Sequence, residues 1–172
     1  MDPESERIRS YLQTQAKLTI PQLVGKVRND MQQVQDALES VPPALFGARP
    51  AEREWSANEV AAHLASTSAA VAGGIRRAID DGEAPEAIAD TMEKVEGERS
   101  ANEWWQALHS GREALLEHVL KASGEESLGV KWEHGTFGDL HWREWLLFLR
   151  IHDLDHARQI EAIAAALQGS PA

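Results

Sequence analysis

The stretch HWREWLLFLRIHDLDHARQIEAI, residues 141–163, decides the fold because its apolar residues repeat with the period of an α-helix. Its stripe advances in steps of three and four residues and consists of Trp145, Leu149, His152, His156, Ile160, Ile163 and Leu167. Residues at this spacing share one face of a helix. The pattern predicts a helix from Leu140 to Leu167, about 40 Å long at 1.5 Å per residue, with two histidines on its apolar face.

Three further segments carry the same periodicity. The first follows Thr19 and Pro21, ends at Pro42, and has the stripe Val24, Val27, Met31, Val34, Leu38 and Val41. The second and third, EWSANEVAAHL at 54–64 and SANEWWQAL at 100–108, both contain Ser-x-x-Glu. In this capping box the serine and glutamate side chains satisfy each other's backbone N–H groups at a helix start.

The arrangement of these segments predicts the fold class. A short polar helix from Glu4 to about Lys17 precedes the four periodic segments, and no segment shows the alternation typical of a strand. Four amphipathic helices can bury their apolar stripes only against one another. We therefore predict an all-α protein, an antiparallel four-helix bundle with a short extra N-terminal helix, forming a single domain over residues 1–172.

Composition narrows the classes of function. The 172 residues carry a net charge of −11 and no cysteine. The acidity argues against nucleic acid as a partner, and the lack of cysteine excludes a cysteine nucleophile and zinc–thiolate sites. The N-terminus lacks an apolar signal core, and no apolar run approaches the ~20 residues of a membrane span. We expect no membrane partner and a cytoplasmic location.

Three of the seven histidines are candidate metal ligands. His152 and His156 lie one helical turn apart on the predicted apolar face, where unsatisfied imidazoles are unfavourable. The pair alone fits metal binding or mutual hydrogen bonding equally well. His63 lies beside Leu64 on the stripe of the second bundle helix, and ligands from facing helices converge in bundle cores. The predicted metal ligands are therefore His63, His152 and His156, with positions left open for water or substrate.

Carboxylates near these histidines give no clear catalytic base. Glu59 lies one turn before His63, but its capping-box role with Ser56 explains it without a catalytic one. Asp153 and Asp155 flank the candidate ligands, where they could orient an imidazole or, as we favour, pair with Arg150 and Arg158. We therefore predict no catalytic residue from the sequence.

WSANEVAAHL at 55–64, followed by HWREWLLFLRIHDLDHARQIEAI, resembles the DinB-like superfamily of helical metal-binding proteins, which includes bacillithiol S-transferase-like members. The resemblance spans about Val24 to Leu167. It implies an up-down-down-up bundle with a long crossover before the third helix. The family's three metal-binding histidines correspond to His63, His152 and His156. It also implies that a dimer is common and that thiol-dependent transferases and isomerases are among the relatives.

The leading functional hypothesis is a metal-dependent enzyme, either an S-transferase using a low-molecular-weight thiol such as bacillithiol or mycothiol, or a related hydrolase. Its cofactor would be a divalent transition metal, with Zn or Ni favoured over Fe, Co or Mn. Its partners would be a small-molecule substrate and a second copy of the chain in a homodimer. The alternative is a non-catalytic bundle of stress-response type that binds metal or a small ligand. In a third interpretation, the three histidines only satisfy one another.

Overall fold

Five α-helices and one β-hairpin form the parts of the chain that the computed structural model describes, residues 2–86 and 98–169. The helices are α1 (Pro3–Gln15), α2 (Ile20–Ser40), α3 (Ala57–Asp80), α4 (Ala101–Val119) and α5 (Trp142–Gly169). The strands β1 (Lys131–His134) and β2 (Gly138–His141) lie between α4 and α5. Within the described ranges, no helix has the length and apolarity that a bilayer crossing requires.

Helices α2 to α5 form a four-helix bundle, as the sequence predicted, with the up-down-down-up order that the family resemblance implied. One apolar cluster joins the first halves of α2 and α5 to the last halves of α3 and α4. A second cluster joins the opposite halves of the same helices. Helices α2 and α5 therefore run parallel, with Gln168 Nε2 donating to the Ser40 carbonyl at 3.2 Å near their C-terminal ends. Helices α3 and α4 run in the other direction.

Both predicted capping boxes are present and set the starts of α3 and α4. The Ser56 N–H donates to Glu59 Oε2 at 2.8 Å, and the Glu59 N–H donates to Ser56 Oγ at 3.2 Å. Ser100 and Glu103 repeat this exchange at 2.8 and 3.3 Å. Such caps stabilise a helix start by about 1 kcal/mol. They also fix the register of α3 and hence the position of His63, seven residues after the cap.

The apolar stripes are buried as predicted. Along α2, the side chains of Val24, Val27, Met31, Val34 and Leu38 are all buried. Along α5, Leu149 and Ile160 are fully buried on either side of the two histidines, in different apolar clusters. Burial of one such side chain contributes roughly 1.5–3 kcal/mol. The stripes thus hold α5 in the rotation that directs residues 152 and 156 inward.

The β-hairpin differs from the prediction, which placed no strand in the chain and began the last helix at Leu140. Strands β1 and β2 pair antiparallel, with Trp132 opposite Leu140 and both side chains buried. Gly138 has φ of +71°, a left-handed conformation that favours glycine. Each strand has only four residues, so the alternation is too short to be recognised. Helix α5 accordingly begins at Trp142, after the hairpin.

Candidate metal centre

The structure brings the three predicted histidines together in the bundle. His63 projects from α3, while His152 and His156 project from consecutive turns of α5. Each offers one ring nitrogen, and these three atoms lie within 4.8 Å of one another. The ring centroids are separated by 5.0 Å for His63–His152, 4.9 Å for His63–His156 and 4.4 Å for His152–His156. We refer to these residues as the histidine cluster.

The histidine cluster lies where the two apolar clusters of the bundle meet. All three side chains are half-buried, whereas their stripe neighbours Leu64, Leu149 and Ile160 are fully buried. The partial exposure arises because the cluster opens into a cavity along one side of the bundle. The imidazoles can therefore be reached by small molecules while the surrounding core stays closed.

Hydrogen bonding constrains the protonation of all three cluster members. His63 Nε2 lies 3.0 Å from His152 Nε2, so one of these two nitrogens must carry a proton for the contact to be attractive. His156 Nδ1 lies 2.7 Å from Gln159 Oε1. Because an amide oxygen only accepts, His156 Nδ1 carries a proton and its Nε2 keeps a lone pair. Gln159 thereby selects the tautomer and holds the ring in place.

His152 is the most strongly perturbed member of the cluster. Burial is the main cause that lowers its pKa to about 2, with smaller contributions from His156 and His63. Its ring is therefore neutral at ordinary pH, as a metal ligand must be. Its Nδ1 is buried and has no hydrogen-bond partner among the described residues.

These features fit a divalent transition metal. Two imidazole nitrogens that bind one ion at about 2.0–2.1 Å lie about 3 Å apart, and the His63–His152 nitrogens are separated by 3.0 Å. The ring held by Gln159 matches the usual support of a metal-bound histidine through its other nitrogen. Three neutral imidazoles suit Zn, Ni, Fe, Co or Cu and do not select among them. The residues present could thus hold such an ion.

Asp153 pairs with Arg112 rather than with Arg150 or Arg158, the partners favoured from the sequence. Its carboxylate is buried and accepts two hydrogen bonds from Arg112 of α4, at 2.6 and 3.2 Å. Arg112 also donates to Ser68 of α3 at 3.1 Å. Arg150 pairs instead with Asp30. The prediction for Asp153 is wrong because residue 153 faces α4 from a helix that is buried on several sides.

Arg112 could have been found from the sequence. Arg112 lies on the apolar stripe of α4, four residues after Leu108 and three residues before Leu115. A charged residue in such a position indicates a buried partner of opposite charge. Glu59, the other carboxylate considered, forms the capping box and an ion pair with Arg49.

A cavity of about 800 Å³ adjoins the histidine cluster. Its walls come from α1, α3, the hairpin and α5, and all three cluster histidines line it. The hairpin contributes His134 and Phe137, which the sequence did not identify as site residues. No sequence signal pointed to His134, because the position of the hairpin against α5 depends on tertiary packing. Asp155, in contrast to Asp153, is exposed and lines the cavity.

Comparisons with known proteins agree with the fold. The chain matches the family DinB_2, described as the DinB superfamily, over residues 26–160. Among solved structures, the crystal structure of TT2238, a four-helix bundle protein, aligns with a TM-score of 0.62 and 22% identity. The alignment covers 84% of this chain and 99% of that one. A search of curated proteins gives no match. The family match covers most of the sequence, and the chain therefore belongs to the DinB superfamily.

Proposed function

We propose that the protein is a metal-dependent enzyme acting on a small molecule, with His63, His152 and His156 holding one divalent transition metal. The observation that carries the proposal is the convergence of one imidazole from α3 and two from α5, with ring nitrogens within 4.8 Å of one another. When bound, such a metal supplies Lewis acidity toward a water molecule or a thiol. The cavity beside the cluster leaves room for a reacting molecule.

The chain's own residues would prepare this centre in three ways. The buried environment of His152 keeps its ring neutral and available as a ligand. Gln159 orients His156 so that the nitrogen opposite the hydrogen bond faces inward. The apolar stripe of α5 holds both rings on one face, which limits the rearrangement needed for binding.

Within this proposal, the reaction is transfer to or from a low-molecular-weight thiol, with metal-assisted hydrolysis as the related possibility. The chain has no cysteine, so a reacting thiol would be supplied by a cosubstrate such as bacillithiol or mycothiol. We keep Zn or Ni ahead of Fe, Co and Mn, a choice that the imidazole ligands do not determine and that metal analysis tests. A cytoplasmic location and a homodimer belong to the same proposal, and cell fractionation and sedimentation velocity test them.

Metal analysis of protein purified without a polyhistidine tag provides the first test. We expect about one divalent ion per chain, and loss of that ion in His152→Leu. His109→Leu is the matched control, because His109 packs against Trp105, with ring centroids 4.9 Å apart, and is not among the described residues that line the cavity. Metal content that is unchanged in His152→Leu would overturn the proposed centre.

Turnover provides the second test. An electrophile such as 1-chloro-2,4-dinitrobenzene, with bacillithiol or mycothiol, and a panel of esters and amides would be assayed with and without chelator. Chelator-sensitive turnover in either assay supports an enzyme and identifies its reaction class. A stoichiometric metal without turnover in any assay would favour the non-catalytic binding protein instead.

A further inference from the structure

The cavity beside the histidine cluster has one aromatic wall, formed by Phe137 of the hairpin and by Trp145 and Phe148 of α5. Phe148 meets Trp145 edge-on, with centroids 5.4 Å apart and planes at 81°. Behind it, Trp145 stacks on Trp132 at 5.3 Å. The Phe148 ring also lies 5.3 Å from His152. The wall therefore runs without a break from the hairpin to the histidine cluster.

This aromatic wall is rigid before any ligand arrives. Phe137, Trp145 and Phe148 expose at most 9% of their surface, so neighbouring groups fix each ring. Trp55 lies on the other side of His63, at 5.5 Å, and also lines the cavity. Preformed aromatic faces bind planar rings by stacking and edge-to-face contact, with little loss of side-chain freedom.

His134 adds one polar group to the aromatic wall. Its Nδ1 accepts hydrogen bonds from the backbone N–H groups of Thr136 at 3.1 Å and Phe137 at 3.3 Å. Since both partners are donors, Nδ1 must hold a lone pair, and the neutral ring carries its proton on Nε2. The ring stacks on Phe137 at 4.6 Å and meets Phe148 at 4.5 Å. The backbone of the hairpin turn and the two phenylalanine rings thus fix the tautomer and the ring orientation of His134.

Charge around the cavity disfavours anions. Its lining includes the carboxylates of Glu4, Glu133 and Asp155 and one guanidinium, that of Arg158. The whole chain has a net charge of −11, which extends the same bias beyond the cavity. In the metal-free protein, an anionic ligand would be repelled, while an uncharged one would not.

We propose that this cavity binds an uncharged planar substrate, an aromatic or conjugated carbonyl compound. Its ring lies against the aromatic wall, and its carbonyl oxygen accepts a hydrogen bond from His134 Nε2. The cavity of about 800 Å³ has the size of a small-molecule site. This ligand is the substrate class of the proposed metal-dependent enzyme. Its reaction rests on that proposed function, whereas its binding to the cavity does not.

Three size-matched probes test the proposal: 2-acetylnaphthalene, 2-ethylnaphthalene and 2-naphthoate. Their dissociation constants would be measured by ligand-observed NMR on chelator-treated and Zn-loaded protein. We expect the ketone to bind about 2- to 10-fold more tightly than the hydrocarbon, the usual range for one neutral hydrogen bond. In chelator-treated protein, where no bound cation offsets the carboxylates, the anion should bind at least about tenfold more weakly than the ketone.

Variants of His134 test the hydrogen bond itself. His134→Phe keeps a ring but lacks the N–H group, so the ketone should lose its advantage over the hydrocarbon. His134→Asn retains an acceptor for the turn and a donor for the ligand, so that advantage should persist. His109→Phe, away from the cavity, should leave all three constants unchanged.

Two results would overturn the proposal: binding of the anion as tight as that of the ketone in chelator-treated protein, or a ketone advantage that survives in His134→Phe. Lack of binding by all three probes to folded protein, as judged by circular dichroism, would overturn it as well. Probe binding in chelator-treated protein that never acquires metal would instead refute the proposed metal centre alone. The two failures are therefore distinguishable.

Discussion

Two of the polar clusters in the described interior of the bundle differ in how their hydrogen-bonding groups are satisfied. In the first, Arg112 forms a two-fold hydrogen-bonded ion pair with Asp153 and also bonds Ser68. In the second, three imidazoles meet at the same level of the bundle. The ion pair combines groups of opposite charge and is fully buried. The histidine cluster combines three similar groups and opens into a cavity.

This difference indicates what each cluster requires from outside the chain. The charges of Arg112 and Asp153 neutralise each other and join α4 to α5, and only Arg112 Nε is buried there without a hydrogen-bond partner among the described residues. Three imidazoles repel one another when protonated, and His152 Nδ1 finds no hydrogen-bond partner in the described part of the chain. The ion pair is therefore a structural element, whereas the histidine cluster is suited to a partner that is not part of the protein.

Breaking the ion pair should give the largest effect on stability. Arg112→Met leaves the Asp153 carboxylate buried without its cation, and we expect a loss of about 3–5 kcal/mol in the free energy of unfolding. The double variant Arg112→Met/Asp153→Leu removes both charges and should recover most of that loss. Urea unfolding with chelator present measures both. A double variant as unstable as the single one would show that the interaction is not the source of the loss.

Removing a cluster histidine should have little effect on stability until metal is added. In chelator, we expect His152→Leu to unfold within about 1 kcal/mol of the unmodified protein, because no paired charge is broken. With Zn at one hundred times its dissociation constant, the unmodified protein should gain about 2.7 kcal/mol and the variant should not. Thermal and urea unfolding with and without Zn measure this difference. An equal gain in the variant would contradict a role for His152 in binding.

The sequence predicted the bundle and the candidate ligands because local signals were complete there. Ser56 and Glu59 set the start of α3, and the stripe through Leu149 and Ile160 set the rotation of α5. Together they determine which face carries His63, His152 and His156. The same periodicity that predicts the helices therefore brings the three histidines together.

The features that the sequence analysis missed depend on contacts between distant segments. The strand pair around Trp132 and Leu140 is stabilised by packing against the bundle, and four residues per strand give too little alternation to recognise. The partner of Asp153 lies 41 positions away on α4. His134 reaches the cavity only because the hairpin folds onto Phe148 of α5. Periodicity indicates which face of a helix a residue occupies, but not which residue of another segment it contacts.

The histidine cluster should make the stability of the metal-free protein depend on pH. The pKa of His152 falls from its ordinary 6.5 to about 2 on folding. Above pH 6.5, His152 is unprotonated in both the folded and the unfolded protein. Between about pH 2 and pH 6.5, His152 is protonated in the unfolded protein only. Stability should therefore decrease as the pH falls below 6.5, by up to roughly 1.4 kcal/mol per pH unit for one proton.

Comparison with His152→Leu isolates this effect from other titrating groups. Between pH 6.5 and 5.5 in chelator, the unmodified protein should lose about 1 kcal/mol more than the variant. His63, His156 and His134 remain in both proteins, as does the Arg112–Asp153 pair, so their contributions largely cancel. Urea unfolding at half-unit pH intervals measures the difference. Parallel pH profiles would show that His152 accepts a proton in the folded state without penalty.

An exposed ion pair should give the smallest effect and serves as the matched control for the buried one. Arg28 of α2 donates to both carboxylate oxygens of Glu113 of α4, with distances of 2.8–3.1 Å. Both pairs join a guanidinium to a carboxylate. The side chains of Arg28 and Glu113 are 44% and 26% exposed, whereas those of Arg112 and Asp153 are 0% and 2% exposed. Water and salt screen such a pair, so Arg28→Met should cost less than about 1 kcal/mol. Urea unfolding of both methionine variants compares them directly, and equal losses would show that burial does not explain the strength of the Arg112–Asp153 pair.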